Sequence, residues 1–411
     1  MFRAITTASL LCAALASVVA CGGLAPIGPQ LPDESLVLGE TAPVESGLDD
    51  PQIDEAWRIW LAMIGAARQR LDIAQFYIAN KAGSRLDAVL VAMEAAARRG
   101  VKVRVLVEDK LCATYPKTVA RLAGTPGIEL RRWKTRQTLG GILHAKYFIV
   151  DGREAWFGSQ NFDWRSLIHI HELGARLRSK GLVGGLARLF EADWALAGGA
   201  TREAALVPLA HSVTATVTFG DQAVRATLVA SPKGWLPPGV GWDLPELIAL
   251  IDSAKVRVRV QLLSLHLKER KGGQIDGLVA AMRRAGERGV QVQMLLSHWM
   301  RRRSRIVDAL KLQAIAGVTV RLLEVPASSE GFVPFSRVIH AKYAVVDGQR
   351  AWLGTSNWSW GYFHKSRNVG LLVDGAPFAG ALDRVFERAW SHPGAATVDP
   401  AVTYEAPRIS R

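Results

Sequence analysis

Two imidazoles, two ammonium groups and two carboxamides recur in this chain at one fixed spacing. His144, Lys146, Asp151, Ser159 and Asn161 are matched by His340, Lys342, Asp347, Thr355 and Asn357; Lys follows His by two residues, Asp by seven, a hydroxyl by fifteen and Asn by seventeen. Such groups suffice to hold a phosphodiester, attack its phosphorus and protonate the leaving oxygen without a metal. One His would form a phosphohistidine while the other, protonated, donates to the leaving oxygen and then activates water. Lys146 and Lys342 would neutralise the nonbridging oxygens, with Ser159, Asn161, Thr355 and Asn357 adding hydrogen bonds to the phosphate. The sequence has no Cys pair, no His-Glu-x-x-His and no carboxylate-rich calcium loop, so no metal or cofactor is implied. Asp151 and Asp347 belong to the motif and to the candidate catalytic set. Each also precedes a Gly, which suits a carboxylate that fixes a hairpin turn at least as well.

The elements that must position these groups are themselves duplicated. Asp87, Met93, Arg99, Gly100, Val101 and Val103 recur 189 residues later as Asp276, Met282, Arg288, Gly289, Val290 and Val292. From the motifs onward the offset is 196, carrying Leu186, Phe190 and Trp194 onto Leu382, Phe386 and Trp390. Each unit reads as a helix (54–68; 244–253), a strand (71–77; 256–263), a second helix and strand, a further strand (128–133; 319–323), a hairpin carrying the motif, and a closing helix. The expected fold is α/β: two fused α/β/α units related by a pseudo-twofold, with the site at their interface. Within each motif His and Lys share parity along a strand, and the alternate positions are apolar. The expected domains are a signal peptide at 1–20, an acidic Pro/Gly-rich tether at 21–52, units at 53–228 and 229–395, and a tail at 396–411.

The chain has 411 residues, ample for two cores, and a formal net charge of +14. Eight acids and no Lys or Arg lie between Gly22 and Glu55, which reads as a solvated tether. Setting them and Arg3 aside leaves 50 bases against 29 acids, a field that favours nucleic acid or an anionic membrane surface. The uncharged run from Ala8 to Ala20 is short for a membrane span and reads as an export signal. Cys12 lies within it, which leaves Cys112 without an intrachain partner beyond Cys21; a half-buried inert thiol is expected there.

The paired H-x-K-x4-D motifs followed by G-S-x-N resemble the phospholipase D superfamily. The extended strings Gly158-Ser-Gln-Asn-Phe-Asp-Trp-Arg-Ser166 and Gly354-Thr-Ser-Asn-Trp-Ser359 look like the branch holding the vertebrate lysosomal phospholipase-D-like 5′-exonucleases and the poxvirus envelope phospholipase. The resemblance implies a metal-independent phosphodiesterase acting on a phospholipid or on single-stranded nucleic acid. One chain would form the site, and a dimer is left open. It also implies that Glu172, 28 residues after His144, bonds the catalytic imidazole; Asn368 is its counterpart. On that basis His144 is expected to be the nucleophile and His340 the general acid. Val18-Val19-Ala20-Cys21 resembles a bacterial lipobox, implying acylation of Cys21 and a place in the cell envelope, with outer-membrane retention favoured over secretion. The alternatives are a phosphatidyltransferase of cardiolipin-synthase type and a non-catalytic polyanion-binding surface lipoprotein.

Elsewhere, His169 and His171 are expected to pack around the site rather than bind metal. His266, His298 and His364 fall in loops after strands. Trp57, Trp60, Trp194 and Trp390 sit at core spacings, whereas Trp299, Trp358 and Trp360 are candidates for a site rim. The basic runs 131–136 and 301–305 are expected near the mouth of the site.

Overall fold

A computed structural model describes residues 31–269 and 272–410; the export signal and Cys21 lie outside the described residues. The principal strands of the first half are β1 (Ser35–Thr41), β2 (Arg70–Gln75), β3 (Lys102–Glu108), β4 (Ile128–Trp133), β5 (Tyr147–Val150), β6 (Glu154–Gly158) and β7 (Glu172–Arg178). Those of the second are β8 (Thr214–Phe219), β9 (Gln222–Ser231), β10 (Arg257–Leu262), β11 (Gln291–Ser297), β12 (Val318–Leu323), β13 (Lys342–Val346), β14 (Arg350–Gly354) and β15 (Asn368–Asp374). In the first half β2, β3 and β4 run parallel, and β2 continues antiparallel through β5 and β6 to β7. In the second, β10, β11 and β12 are parallel, and β10 continues through β13 and β14 to β15. The duplication read from the sequence is thus a duplication of topology.

The expected tether is corrected in part. Its residues 35–41 form β1, antiparallel to β7 over its whole length, as β9 is to β15. β1 also touches β8, and β8 pairs with β9, so one sheet runs through both halves. Leu36, Leu38 and Leu48 enter the central core. Glu40, which composition alone makes look solvated, is buried with its Oε1 2.9 Å from His171 Nε2. A few apolar residues in an acidic window are enough once a partner strand offers the ladder, because paired backbone is what a buried edge requires. Unit 1 therefore begins near Ser35, and unit 2 begins with β8 and β9, ahead of residue 229. The expected tail also packs: Ala395–Thr397 pairs with β12 and Val398 is buried.

The helices α1 (Ala56–Ala66) and α2 (Arg85–Arg98) cover one face of the first half, where Trp60 meets Phe148, Trp156 and Phe162. Ala56, Ile59, Trp60, Met63 and Ile64 form the buried stripe of α1, the spacing of one helical face. The helix α3 (Lys180–Ala197) lies in the central core. In the second half α4 (Asp243–Asp252) and α5 (Asp276–Glu287) take the places of α1 and α2. A short helix α6 (Trp360–His364) follows the second motif, and α7 (Ala376–Trp390) joins α3 in the core shared by the two halves.

Candidate active site

Each motif begins in extended chain that docks on the other half. Leu143 bridges in parallel to Arg367, with His144 N donating to Arg367 O and Arg367 N to Ile142 O, both at 2.9 Å. The mirror contact joins His171 to Ile339: His171 N donates to Val338 O at 2.9 Å, and His340 N to His171 O at 2.8 Å. Arg367 and His171 are the residues immediately before β15 and β7. The first residue of each of those strands is thereby delivered to the imidazole of the opposite half.

This crossing corrects the expected pairing. Glu172 Oε2 lies 2.7 Å from His340 Nδ1, and Asn368 Oδ1 lies 3.1 Å from His144 Nδ1. Asn368 is held by donating Nδ2 to Ser231 Oγ and to the carbonyls of Tyr362 and Ser366, while its Oδ1 accepts from Thr355 Oγ1 at 3.1 Å. With an oxygen facing it, His144 Nδ1 carries the proton, which leaves the lone pair on Nε2. Glu172 is held by Ser166 Oγ at 2.8 Å and sets the same tautomer in His340. Ser159 and Thr355 each exchange bonds with the backbone of Leu173 and Val369, tying the motif to β7 and β15.

The site is deeply buried and rich in cations. Lys146 and Lys342 are almost fully enclosed, each giving one N–H to the carbonyl of its own motif His and keeping two for a ligand. Burial pushes Lys342 down to about 7, with Glu172 pulling the other way. Burial and then Lys342 push Lys146 well below its ordinary value. Burial, followed by the two lysines, lowers both imidazoles, and the charge of His340 bears on His144 as well. Burial also raises Glu172 to about 7, against the pull of Lys342, Ser159, Ser166 and Lys146. Two ammonium groups, two imidazoles and one carboxyl in a desolvated hole leave a deficit that a phosphodiester anion fills.

Not every candidate residue joins this centre. Asp151 accepts from the backbone N–H of Arg68, Gln69 and Arg70 at 2.8–3.0 Å, and Asp347 from Lys255, Val256 and Arg257 at 2.7–2.9 Å. Both sit at positive φ in the turn beyond the far end of the motif strand, each followed by a Gly also at positive φ, a geometry that Asp-Gly accommodates. They are removed from the reacting groups and pin the hairpin to the start of β2 or β10. Asn161 is buried with Oδ1 lacking a partner, whereas Asn357 Oδ1 accepts from Ser264 N at 3.4 Å. Trp358 is fully buried, so it belongs to the core rather than the rim. Trp360 stacks on His364 with centroids 4.7 Å apart. His169 is buried beside Trp164, and His171 pairs with Glu40. His266 Nδ1 lies 3.3 Å from Asp308, and His298 is buried. Cys112 is a buried free thiol whose pKa burial raises.

Three contributors escaped the sequence reading. Phe76 and Tyr362 flank His144 with centroids at 5.2 and 4.7 Å, and nothing in their neighbourhoods along the chain marks them. Arg367, fully buried, is paired with Asp193 of α3 and bonds the carbonyls of Ser231 and Trp235. A charged residue next to the counterpart of Glu172 was its only signal.

The family described as cardiolipin synthase, PLD-like domain, matches residues 60–194 and 247–390. The chain belongs to that family and is a phosphodiesterase of the phospholipase D superfamily. It is 29% identical over 403 residues to the 5'-3' exonuclease PLD3 of Bos taurus, covering 89% of this chain and 81% of that protein. It is 28% identical over 361 residues to phospholipase D Z of Dictyostelium discoideum, covering 81% and 84%. Phosphatidylserine synthase of Haemophilus influenzae Rd KW20 shares the fold, with a TM-score of 0.61 at 12% identity over 91% of this chain and 90% of that one.

Proposed function

We propose that the protein hydrolyses a phosphodiester through a phosphohistidine on His340, with His144 as general acid and base. The observation that carries the assignment of roles is the crossed pairing of Glu172 with His340 and Asn368 with His144. Attack by His340 Nε2 puts positive charge on that imidazole, and the carboxylate at Nδ1 stabilises it. His144 faces only an amide, so its protonated form is the stronger acid and gives its Nε2 proton to the leaving oxygen as the P–O bond breaks. Neutral His144 then takes a proton from water. The water oxygen bonds phosphorus, the P–N bond breaks with its electrons returning to His340, and a phosphate monoester leaves. Lys146 and Lys342 hold the nonbridging oxygens throughout, and Asn161 and Asn357 add donors. Phe76 and Tyr362 keep the His144 ring in place and shielded from water.

The ester is drawn from the two classes named among the relatives, nucleic acid and phospholipid. An exported, lipid-anchored protein is the setting that the segment ending at Cys21 supports. Among the described residues no helix is long and apolar enough to cross a membrane. The test is to incubate the mature protein in EDTA with labelled single-stranded DNA and, separately, with phosphatidylcholine and phosphatidylglycerol, and to map phosphate trapped by rapid acid-free denaturation. Cleavage lost in both His144→Ala and His340→Ala, with label on His340, is expected. Label on His144 would reverse the roles, and inactivity toward every ester would sink the reading.

A further inference from the structure

At the carboxyl ends of β3 and β4 a cavity of about 640 Å³ opens between the two halves. Its lining includes Lys110, Lys134, Arg136 and Lys365, none of which is in an ion pair among the described residues. The acids beside them are already engaged. Glu108 accepts from Leu143 N at 2.8 Å, Asp109 pairs with Arg132, and Glu269 accepts from Gly361 N at 2.7 Å. Four cations against the three carboxylates Glu108, Asp109 and Glu269 leave the lining with a net positive charge, and Arg132 offsets Asp109 as well. It adjoins the reacting centre through the interface ladder: Gly141 and Ser366 line the cavity, and His144 and Asn368 lie three and two residues further along the same two segments. Three residues of extended chain span roughly 10 Å.

The pseudo-twofold counterpart of this cavity is filled. At the offset of 196, Lys365 and Ser366 correspond to His169 and Ile170 and Ile142 to Val338, while Lys134 and Glu324 are the residues that follow β4 and β12. There the segment 44–46 is fastened down. Val44 N donates to Ile168 O at 3.0 Å, Arg337 Nη1 to Val44 O at 2.7 Å, and Ser329 N and Oγ to the Glu45 carboxylate. His392 Nε2 meets Ser46 O at 3.0 Å. A duplicated site has thus been closed on one side by the chain's own N-terminal segment and left open and positive on the other.

We infer, resting on the phosphodiesterase reading above, that the open cavity binds backbone phosphates of a single-stranded nucleic acid on one side of the scissile bond, and that segment 44–46 blocks passage of the strand on the other. The lining favours this ligand over a lipid. Ile142 is its one large apolar side chain, too little to receive an acyl chain, whereas repeated anions suit four cations that form no ion pair among the described residues, one of them, Lys365, over the Trp360 ring. Lys134 and Arg136 sit on exposed chain after β4 and carry no part of the catalytic machinery.

The test compares wild type with Lys134→Glu/Arg136→Glu on three readouts: anisotropy of a labelled single-stranded decanucleotide, its cleavage, and cleavage of bis(p-nitrophenyl) phosphate. Binding and KM for the decanucleotide should weaken about tenfold or more, and the log–log salt dependence of binding should fall by about 0.7 per removed cation. Constants for the small ester should stay as in wild type. Unchanged decanucleotide binding overturns the inference, as does an equal loss on the small ester or an effect confined to phosphatidylglycerol vesicles. Cation-dependent binding in a wild type that cleaves neither ester would instead sink the catalytic reading and leave the subsite standing.

Discussion

A carboxylate and a carboxamide placed at equivalent positions make two chemically identical histidines unequal. Glu172 lends negative charge to His340 and, through space, raises Lys342 against the burial that lowers it. Lys342 is charged below about 7 and loses its proton as pH rises through that value, so the grip on an anionic ester weakens on the alkaline side. We expect kcat/KM of wild type to be bell-shaped around pH 7, because Glu172 becomes charged as pH rises toward about 7 and Lys342 loses its charge above it. In Glu172→Gln, kcat should drop by about two to four orders of magnitude and the falling limb should move to lower pH, because the neutral amide no longer supports the ammonium. A pH series from 5 to 9 on a small diester reads both effects, and a limb that stays put would detach Lys342 from Glu172. The equality of type, His for His and Lys for Lys, is plain in the sequence. Which imidazole receives the acid is not, since sequence proximity pointed to His144 and the crossing of segments chose His340.

Among the elements, the motif hairpins carry a residue of each kind that conservation of a signature would lump together. His and Lys stand at the start of the strand and face the interface, whereas Asp151 and Asp347 stand at the turn beyond its far end and tie down the neighbouring strand through three backbone N–H groups each. For Asp347 those donors outweigh the burial that raises it, and hold its carboxyl below the ordinary value. Asp151→Ala or Asp347→Ala should therefore destabilise the fold by about 1–3 kcal/mol while leaving kcat per folded molecule near wild type. Urea unfolding together with active-site titration separates the two. A hundredfold fall in kcat at full stability would return these carboxylates to the chemistry. The strands that flank the motif hairpins were legible from alternation, with Ile128–Trp133 matching its expected range and the others shifting by a residue or two at their ends. The even positions Phe148 and Val150 proved as buried as the odd ones, because α1 and α2 cover the face that His144 and Lys146 begin.

For the whole molecule, the decisive feature is that neither half completes a site alone and that the N-terminal strand is part of the sheet joining them. β1 pairs along β7, touches β8, and places Glu40 on His171, the residue whose backbone docks the second motif. Deleting residues through Asp50 should leave the β7 edge exposed and His171 without its partner. We expect insoluble or non-cooperatively melting protein, whereas removal of residues 1–30 should be tolerated. Circular dichroism melts of the two truncations decide this, and a well-folded deletion through Asp50 would restore the tether. The sequence by itself determined the duplicated α/β units, the motif residues that converge at the interface and the class of chemistry, because periodicity and residue type are local properties that a repeated motif makes visible. Only the tertiary structure decided which partner each histidine receives, that Ser35–Thr41 in an acidic window builds a strand of the joint sheet, and that residues 44–46 are fastened against the second half. Those outcomes depend on contacts across the pseudo-twofold, between residues such as Glu172 and His340 that lie 168 positions apart, and no local pattern encodes them.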